Sequence, residues 1–191
     1  MKSAGPAIDI VTLDESAFAR ALDDLAAILV DAVRSGASVG FVEPFTLDDA
    51  RLWWRGLAPD VARGRVIVLM ALTQGGAIGT AQLRLAQQPN ARHRAEVAKV
   101  LVRRDARRSG AGTVLMSAVE EIARRHGRTL LVLDAIAGSD AVRLYERLGW
   151  TRAGEISRYA AFPDGSLAPT VIYFKDIENA ASTQRIGQPE V

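Results

Sequence analysis

Apolar residues recur along this chain in two rhythms, and the switches between them outline its elements. Alternation from Ile8 to Leu13 predicts a short strand, after which Phe18, Leu22, Leu25, Ala26, Leu29 and Val33 recur at helical spacing until Gly36. Gly36-Ala37-Ser38-Val39-Gly40-Phe41 follows neither rhythm and reads as a connector. A second helix is expected from about Leu47. Thr46 is placed to cap it, and Asp48 and Asp49 fall in its first turn, where the helix dipole favours negative charge. Trp53 and Trp54 are neighbours on that helix and cannot share a face, so one is expected in the core while the other can edge a pocket.

Beyond them, 65–73 and 77–87 are rich in β-formers and meet across Gln74-Gly75-Gly76, which is hairpin chemistry. Gln88-Pro89-Asn90 marks a turn before a strand over 94–103. A helix is predicted over 112–125, with Leu115, Val119, Ile122 and Ala123 on one side and Ser117, Glu120, Glu121, Arg124 and Arg125 elsewhere. A strand over 129–134, a helix over 140–148 and two strands, 151–161 and 168–176, around Pro163-Asp164-Gly165 complete the pattern. The expected architecture is α/β: a central mixed sheet of about six to seven strands flanked by about four helices. One domain over 1–178 and a polar tail over 179–191 are expected, the tail read as frayed.

Composition narrows what such a domain can be. The chain has 191 residues, 49% of them hydrophobic, enough for a sizeable core in one domain. Asp9, Asp14, Glu15, Asp23 and Asp24 interrupt the first thirty residues, so neither a signal peptide nor a membrane span is expected and a cytoplasmic location follows. Without cysteine there are no disulfides, no thiolate metal sites and no cysteine-bound acyl group. His93 and His126, the two histidines, lie among arginines and read as solvated, so no metal site is expected. Basic residues number 24, of which only Lys2, Lys99 and Lys175 are lysines, yet interspersed acids hold the net charge to +2. A dedicated nucleic-acid binder would concentrate its positive charge on one face, so no nucleic-acid partner is expected.

The most informative stretch is Arg107-Arg108-Ser109-Gly110-Ala111-Gly112, at the junction of a predicted strand and a predicted helix. Glycines there let backbone approach an anion, N–H groups at a helix start carry partial positive charge, and the arginines add full charge. Neither the nucleotide P-loop nor the three-glycine dinucleotide fingerprint is present. The pattern R-x-x-G-x-G after a strand resembles the acetyl-CoA loop of the Gcn5-related N-acetyltransferases, the GNAT family. A second segment, Ala141-Val142-Arg143-Leu144-Tyr145-Glu146-Arg147-Leu148-Gly149-Trp150, is similar to that family's later A-x-x-x-Y-x-x-x-G-aromatic motif and lies in the expected order.

The resemblance implies the GNAT fold, in which two central strands splay apart to admit the pantetheine arm of acetyl-CoA. It implies cofactor contacts at Arg107, Arg108, Ser109, Gly110, Ala111, Gly112 and Thr113, with Arg103 and Arg104 adding to the basic cluster. It also implies backbone donors to the oxyanion and the pantetheine at Val100, Leu101 and Val102. Two positions depart from the family pattern: Arg104 stands where proline is frequent, and Gly138 where asparagine is frequent. Ser139 or Asp140 could replace the asparagine's contact to the cofactor.

Acetyl transfer to an amine requires a proton acceptor, donors for the oxyanion and a proton for the departing thiolate. Tyr145 matches the family tyrosine near the sulfur and is expected to be the general acid. Glu96, flanked by Ala95, Val97 and Ala98, is expected in a low-polarity setting suited to a base or substrate anchor, the alternative being an ion pair with Lys99 or an arginine. Asp134, at a strand end, is the other candidate base, or a cap for the next loop. Acceptor contacts are expected at Ser38, Phe41, Glu96 and Asp134. Within the family, 36–41, Asn90 with 94–97, Asp134 with 138–139, and 169–175 look like the tabtoxin-resistance acetyltransferases, which implies a small, polar, amino-acid-like acceptor. Acetylation of a protein lysine or N-terminus, which needs an open groove, and a non-catalytic acyl-CoA-binding module are the alternatives. A homodimer is compatible with each.

Overall fold

A computed structural model describes residues 7–178; the expected tail lies outside the described residues. Seven strands, β1 (Asp9–Leu13), β2 (Val66–Thr73), β3 (Gly76–Leu85), β4 (Arg94–Val102), β5 (Leu130–Ile136), β6 (Thr151–Ala161) and β7 (Leu167–Asp176), form one mixed sheet in the order β1-β2-β3-β4-β5-β7-β6. Neighbours pair antiparallel except β4 and β5. Helices α1 (Glu15–Arg20), α2 (Leu22–Arg34), α3 (Leu47–Gly56), α4 (Ala58–Ala62), α5 (Ala111–Arg125) and α6 (Asp140–Arg147) flank it.

The apolar stripe expected as one helix before Gly36 is two. Asp14 caps α1 by accepting the Ala17 N–H at 2.7 Å, and at Ala21 the backbone turns to φ −87°, ψ 0° before α2 resumes. Phe18 and Leu25 keep the periodicity because both reach the same core. Thr46 and Asp49 form the reciprocal cap of α3, which satisfies two backbone donors at its start. The short α4, set by Pro59 in its first turn, was not legible from periodicity.

Because the sheet is covered on both faces, its apolar side chains divide between two cores. Over one face, Leu115, Met116 and Val119 of α5 pack on Leu69, Leu83, Val97 and Leu131. Over the other, Phe18, Leu25, Leu29 and Trp54 pack on Leu13, Val66, Val68 and Met70.

The feature that positions chemistry is the parallel pair. β4 and β5 are in register only at Arg94–Leu130, Ala95–Leu131 and Glu96–Val132, after which they part. β4 nevertheless stays on β3 as far as Val102, and β5 stays on β7 as far as Ile136. A bulge assists the divergence: between the pairs Gln82–Ala98 and Thr80–Leu101, β4 carries one residue more than β3, and Lys99 within it has φ +49°. The result is the expected splay, a V-shaped gap whose two walls each keep one intact ladder.

Gly79 sits against that bulge. A Cβ there would stand 2.7 Å from the Leu101 carbonyl oxygen, which is backbone and cannot rotate away. Gly79→Ala is therefore expected to destabilise the fold by about 1–3 kcal/mol, read as a lower denaturation midpoint at an unchanged m-value.

Candidate active site

At the donor end, the loop between β4 and α5 is open to solvent: Arg107, Arg108, Ser109 and Gly110 are all exposed. Gly110 adopts φ +94°, a left-handed conformation that glycine enters without the strain of a side chain, and it begins α5. Among the described residues the N–H groups of Ser109, Gly110, Gly112 and Thr113 meet no acceptor, and the Ala111 N–H has only a 3.4 Å contact to Ser109 Oγ. Such a row of free donors at a helix start fits a phosphate. Gly112 has a further reason to be small. A Cβ there would come 3.0 Å from Leu144 Cδ2, so its smallness serves the contact of α5 with α6.

The four arginines beside the loop are not equivalent. Arg103 pairs with Asp105 at 2.7 Å, and Arg104 donates to Asp31 through both its guanidinium (2.8 Å) and its backbone N–H (2.9 Å). Burial opposes the charge on Asp31, but these contacts win and hold its carboxyl below the usual value. Proline at 104 could not make that backbone bond, which accounts for one departure from the family pattern. Arg107 donates to Ser35 Oγ at 2.8 Å. Arg108, itself at φ +65°, has neither an ion pair nor a side-chain hydrogen bond among the described residues, and Arg107 bonds only to neutral groups, so these two are the cations left for an anion.

Val100, Leu101 and Val102 line the β4 wall of the gap, where no β5 ladder follows Glu96. Ser139 caps α6, its Oγ accepting the Val142 N–H at 3.4 Å, and Asp140 pairs with Arg143. Ser139 and Asp140 are thus engaged within the chain. Gly138 stands at φ +76°, a region where asparagine and glycine are the ordinary occupants.

Tyr145 is 5% exposed, its ring 6.0 Å from Trp150 and 6.2 Å from Tyr173. Burial, reinforced by the charge of Asp134, raises its pKa far above the ordinary phenol value, so it keeps its proton across the neutral range. Glu96 is not in the apolar setting its neighbours suggested. Ala95 and Val97 point into the α5 core, whereas Glu96 lies on the other face, 46% exposed, with Arg84 at 3.4 Å directly across the ladder. The expected ion-pair partner is therefore an arginine rather than Lys99. Asp134 is exposed on β5, two residues beyond Val132, the partner of Glu96, and its side chain occupies the same face.

The connector borders this face at Lys99. Ser38 Oγ donates to the Ala161 carbonyl at 2.6 Å and the Glu43 N–H to that of Pro163 at 2.8 Å, tying the stretch between α2 and α3 to the β6–β7 hairpin. Ser38 is thereby occupied in holding the connector. Phe41 stacks on Phe45 (4.4 Å) and meets Trp53 edge-on (5.3 Å), and both Phe41 and Trp53 lie over the Lys99 ammonium, at 5.7 and 5.2 Å. Trp54 is fully buried against Phe18, which resolves the tryptophan pair into one core and one rim residue. Sequence reasoning passed over Lys99 and Arg84 as site residues. The available signal was a lysine inside an apolar strand of a chain whose cations are nearly all arginine.

With this geometry in place, comparison with known proteins decides the family. The acetyltransferase (GNAT) family model matches residues 22–150. The chain belongs to that family. Solved structures share the fold: an N-acetyltransferase from Staphylococcus aureus Mu50 (TM-score 0.74, 20% identity, 90% of this chain and 99% of that one); a ribosomal-protein-alanine N-acetyltransferase from Brucella melitensis (0.72, 24%, 88% and 99%); and yncA from Salmonella typhimurium with its cofactor acetyl-CoA (0.72, 20%, 92% and 97%). This GNAT protein is an acetyl-CoA-dependent acetyltransferase, and the free donors at 109–113, the free Arg108 and the parted strands fit that donor. Among the described residues no helix is long and apolar enough to cross a membrane.

Two outcomes follow for this acetyltransferase. Arg108→Gln is expected to weaken acetyl-CoA binding by calorimetry roughly 10- to 100-fold, the loss for a charge-assisted contact, whereas Arg104→Gln, which breaks the Asp31 pair, acts mainly on stability. Tyr145→Phe should lower kcat far more than it raises the KM for acetyl-CoA. A phenol acting as general acid works in its protonated form, and the Tyr145 pKa is raised, so in that role the wild type should show no Tyr145-dependent loss of kcat up to about pH 10.

Proposed function

We propose that this enzyme acetylates the amine of a small, polar, amino-acid-like acceptor, of the kind the tabtoxin-resistance similarity implies. The observation that carries this reading is the meeting of two carboxylates and an aromatic rim on one face of the strand opening. Glu96 and Asp134 share that face, and Phe41 and Trp53 stand over Lys99, farther along β4 than Glu96. Paired carboxylates beside an aromatic rim suit a compact molecule that carries an ammonium group.

Acetyl-CoA supplies the activated acetyl group; the chain supplies positioning and proton transfer. The carboxylates attract an ammonium and take its proton, directly or through water. Asp134 is the stronger candidate for the base, a reading supported by the reach of its charge to Tyr145. Glu96, held by Arg84, orients the acceptor. Tyr145 holds the proton that a departing thiolate needs. The free backbone edge at Val100–Val102 offers donors to developing oxyanion charge.

An acetyl-CoA consumption screen over small amines, amino acids and peptides tests the substrate class. Turnover of small amino acids or amines with negligible turnover of peptides is expected, and the reverse preference would overturn the proposal. With the acceptor found in that screen, Asp134→Asn should lower kcat about 10²–10⁴-fold, the usual contribution of a positioned base. Glu96→Gln should raise the acceptor KM more than it lowers kcat.

A further inference from the structure

Lys99 is the one cation of the acceptor face that the proton-transfer scheme leaves without a task, and its setting is unusual. It occupies the β4 bulge at φ +49°, a conformation that a side-chain-bearing residue holds only when its surroundings enforce it, and bulges beside active sites commonly serve to re-aim a side chain. The lysine stem is half-buried and the ammonium stands over the rings of Phe41 and Trp53. Gly40, at φ +94°, brings the connector close enough that a Cβ would lie 3.6 Å from Nζ. Aromatic faces attract a cation but accept few of its hydrogen bonds. Among the described residues no carboxylate lies at ion-pair distance and no acceptor takes a Lys99 proton, so three donors point nowhere within the chain.

The surroundings are cationic as well as anionic. Desolvation lowers the Lys99 pKa below the ordinary lysine value, the charge of Arg84 adds to this, and Asp134 and Glu96 act less strongly in the opposite sense. Next to Arg84, Gln82 accepts the Arg84 Nε–H at 3.2 Å while its own Nε2 is fully buried without an acceptor. The face therefore presents the unspent donors of Lys99 beside the Arg84–Glu96 ion pair, together with the carboxylate of Asp134 on β5. That polarity matches a molecule carrying an ammonium and an anion a few bonds apart.

We propose that Lys99 is the anion anchor of the acceptor site, receiving the carboxylate of an α-amino-acid acceptor whose amine is turned toward Asp134. Lys99 is thus a specificity-determining residue, and the acceptor is a zwitterion rather than a plain amine. The inference rests on the small-acceptor reading above and adds the acidic group to it.

The test compares free L-amino acids with their carboxamides as acceptors, in the wild type, Lys99→Met and Lys99→Arg. Met retains an unbranched stem against the rings and removes the charge. The wild type should favour the free acid, and Lys99→Met should shrink the acid-to-amide ratio of kcat/KM roughly 10- to 100-fold, through the acid KM, as for loss of a charge-assisted contact to an anion. Lys99→Arg should restore part of the ratio. An unchanged ratio, with acid and amide turnover falling together, would make Lys99 a pin for the connector and overturn the proposal. If neither acids nor amides are turned over, the small-acceptor reading fails, and thermal protection by N-acetyl-L-amino acids in the presence of coenzyme A decides Lys99 separately. Protection of the wild type that is lost in Lys99→Met upholds the anion anchor, and protection equal in both, or absent from both, overturns it.

Discussion

A parallel ladder only three residue pairs long governs this molecule. Beyond Glu96–Val132 the two central strands separate, and buried backbone groups on the inner edges lose the partners that a continuous sheet would supply. The fold tolerates the opening because each wall keeps its other neighbour, β3 for β4 and β7 for β5, over nearly its full length. Edge donors and acceptors in the middle of a seven-stranded sheet are costly in an apolar core and useful beside an amide-bearing pantetheine arm. The same opening brings Tyr145, from the α6 side, within electrostatic reach of Asp134 on the opposite face.

Charge is distributed around that opening by neutralising some cations and leaving others. Asp31 and Asp105 take up Arg104 and Arg103, while Ser35 fixes Arg107 without cancelling its charge, so the phosphate loop is presented with the guanidinium groups of Arg107 and Arg108 and a row of free amides rather than a diffuse basic patch. Concentrated donors in fixed positions discriminate an anion better than a generally positive surface, whose attraction is screened by salt. On the acceptor side, the aromatic rings over Lys99 keep an ammonium in place without cancelling its charge.

Much of this was legible in one dimension. The R-x-x-G-x-G loop, the A-x-x-x-Y-x-x-x-G-aromatic segment, the Thr46 cap and the closing hairpin all depend on residues near one another in the chain, and their local geometry follows from spacing. The break at Ala21 and the short α4 were not, because a helical stripe continues through a change of axis whenever both halves face one core. Gly112 shows the same limit: beside its place in the loop it carries a second constraint, the close approach of Leu144 from another helix, which no local pattern records.

The sequence by itself determined the family, the donor and the order of the strands, since each is carried by residue types at fixed intervals. Only the tertiary structure decided which cations remain free, that Glu96 faces Arg84 instead of an apolar wall, and that the connector is tied to the β6–β7 hairpin with its aromatic rings over Lys99. Those outcomes are set by partners distant along the chain, such as Asp31 with Arg104 or Ser38 with Ala161. A pattern of neighbours carries no record of such pairings, because the energy that selects them arises when the sheet and its helices close around one another.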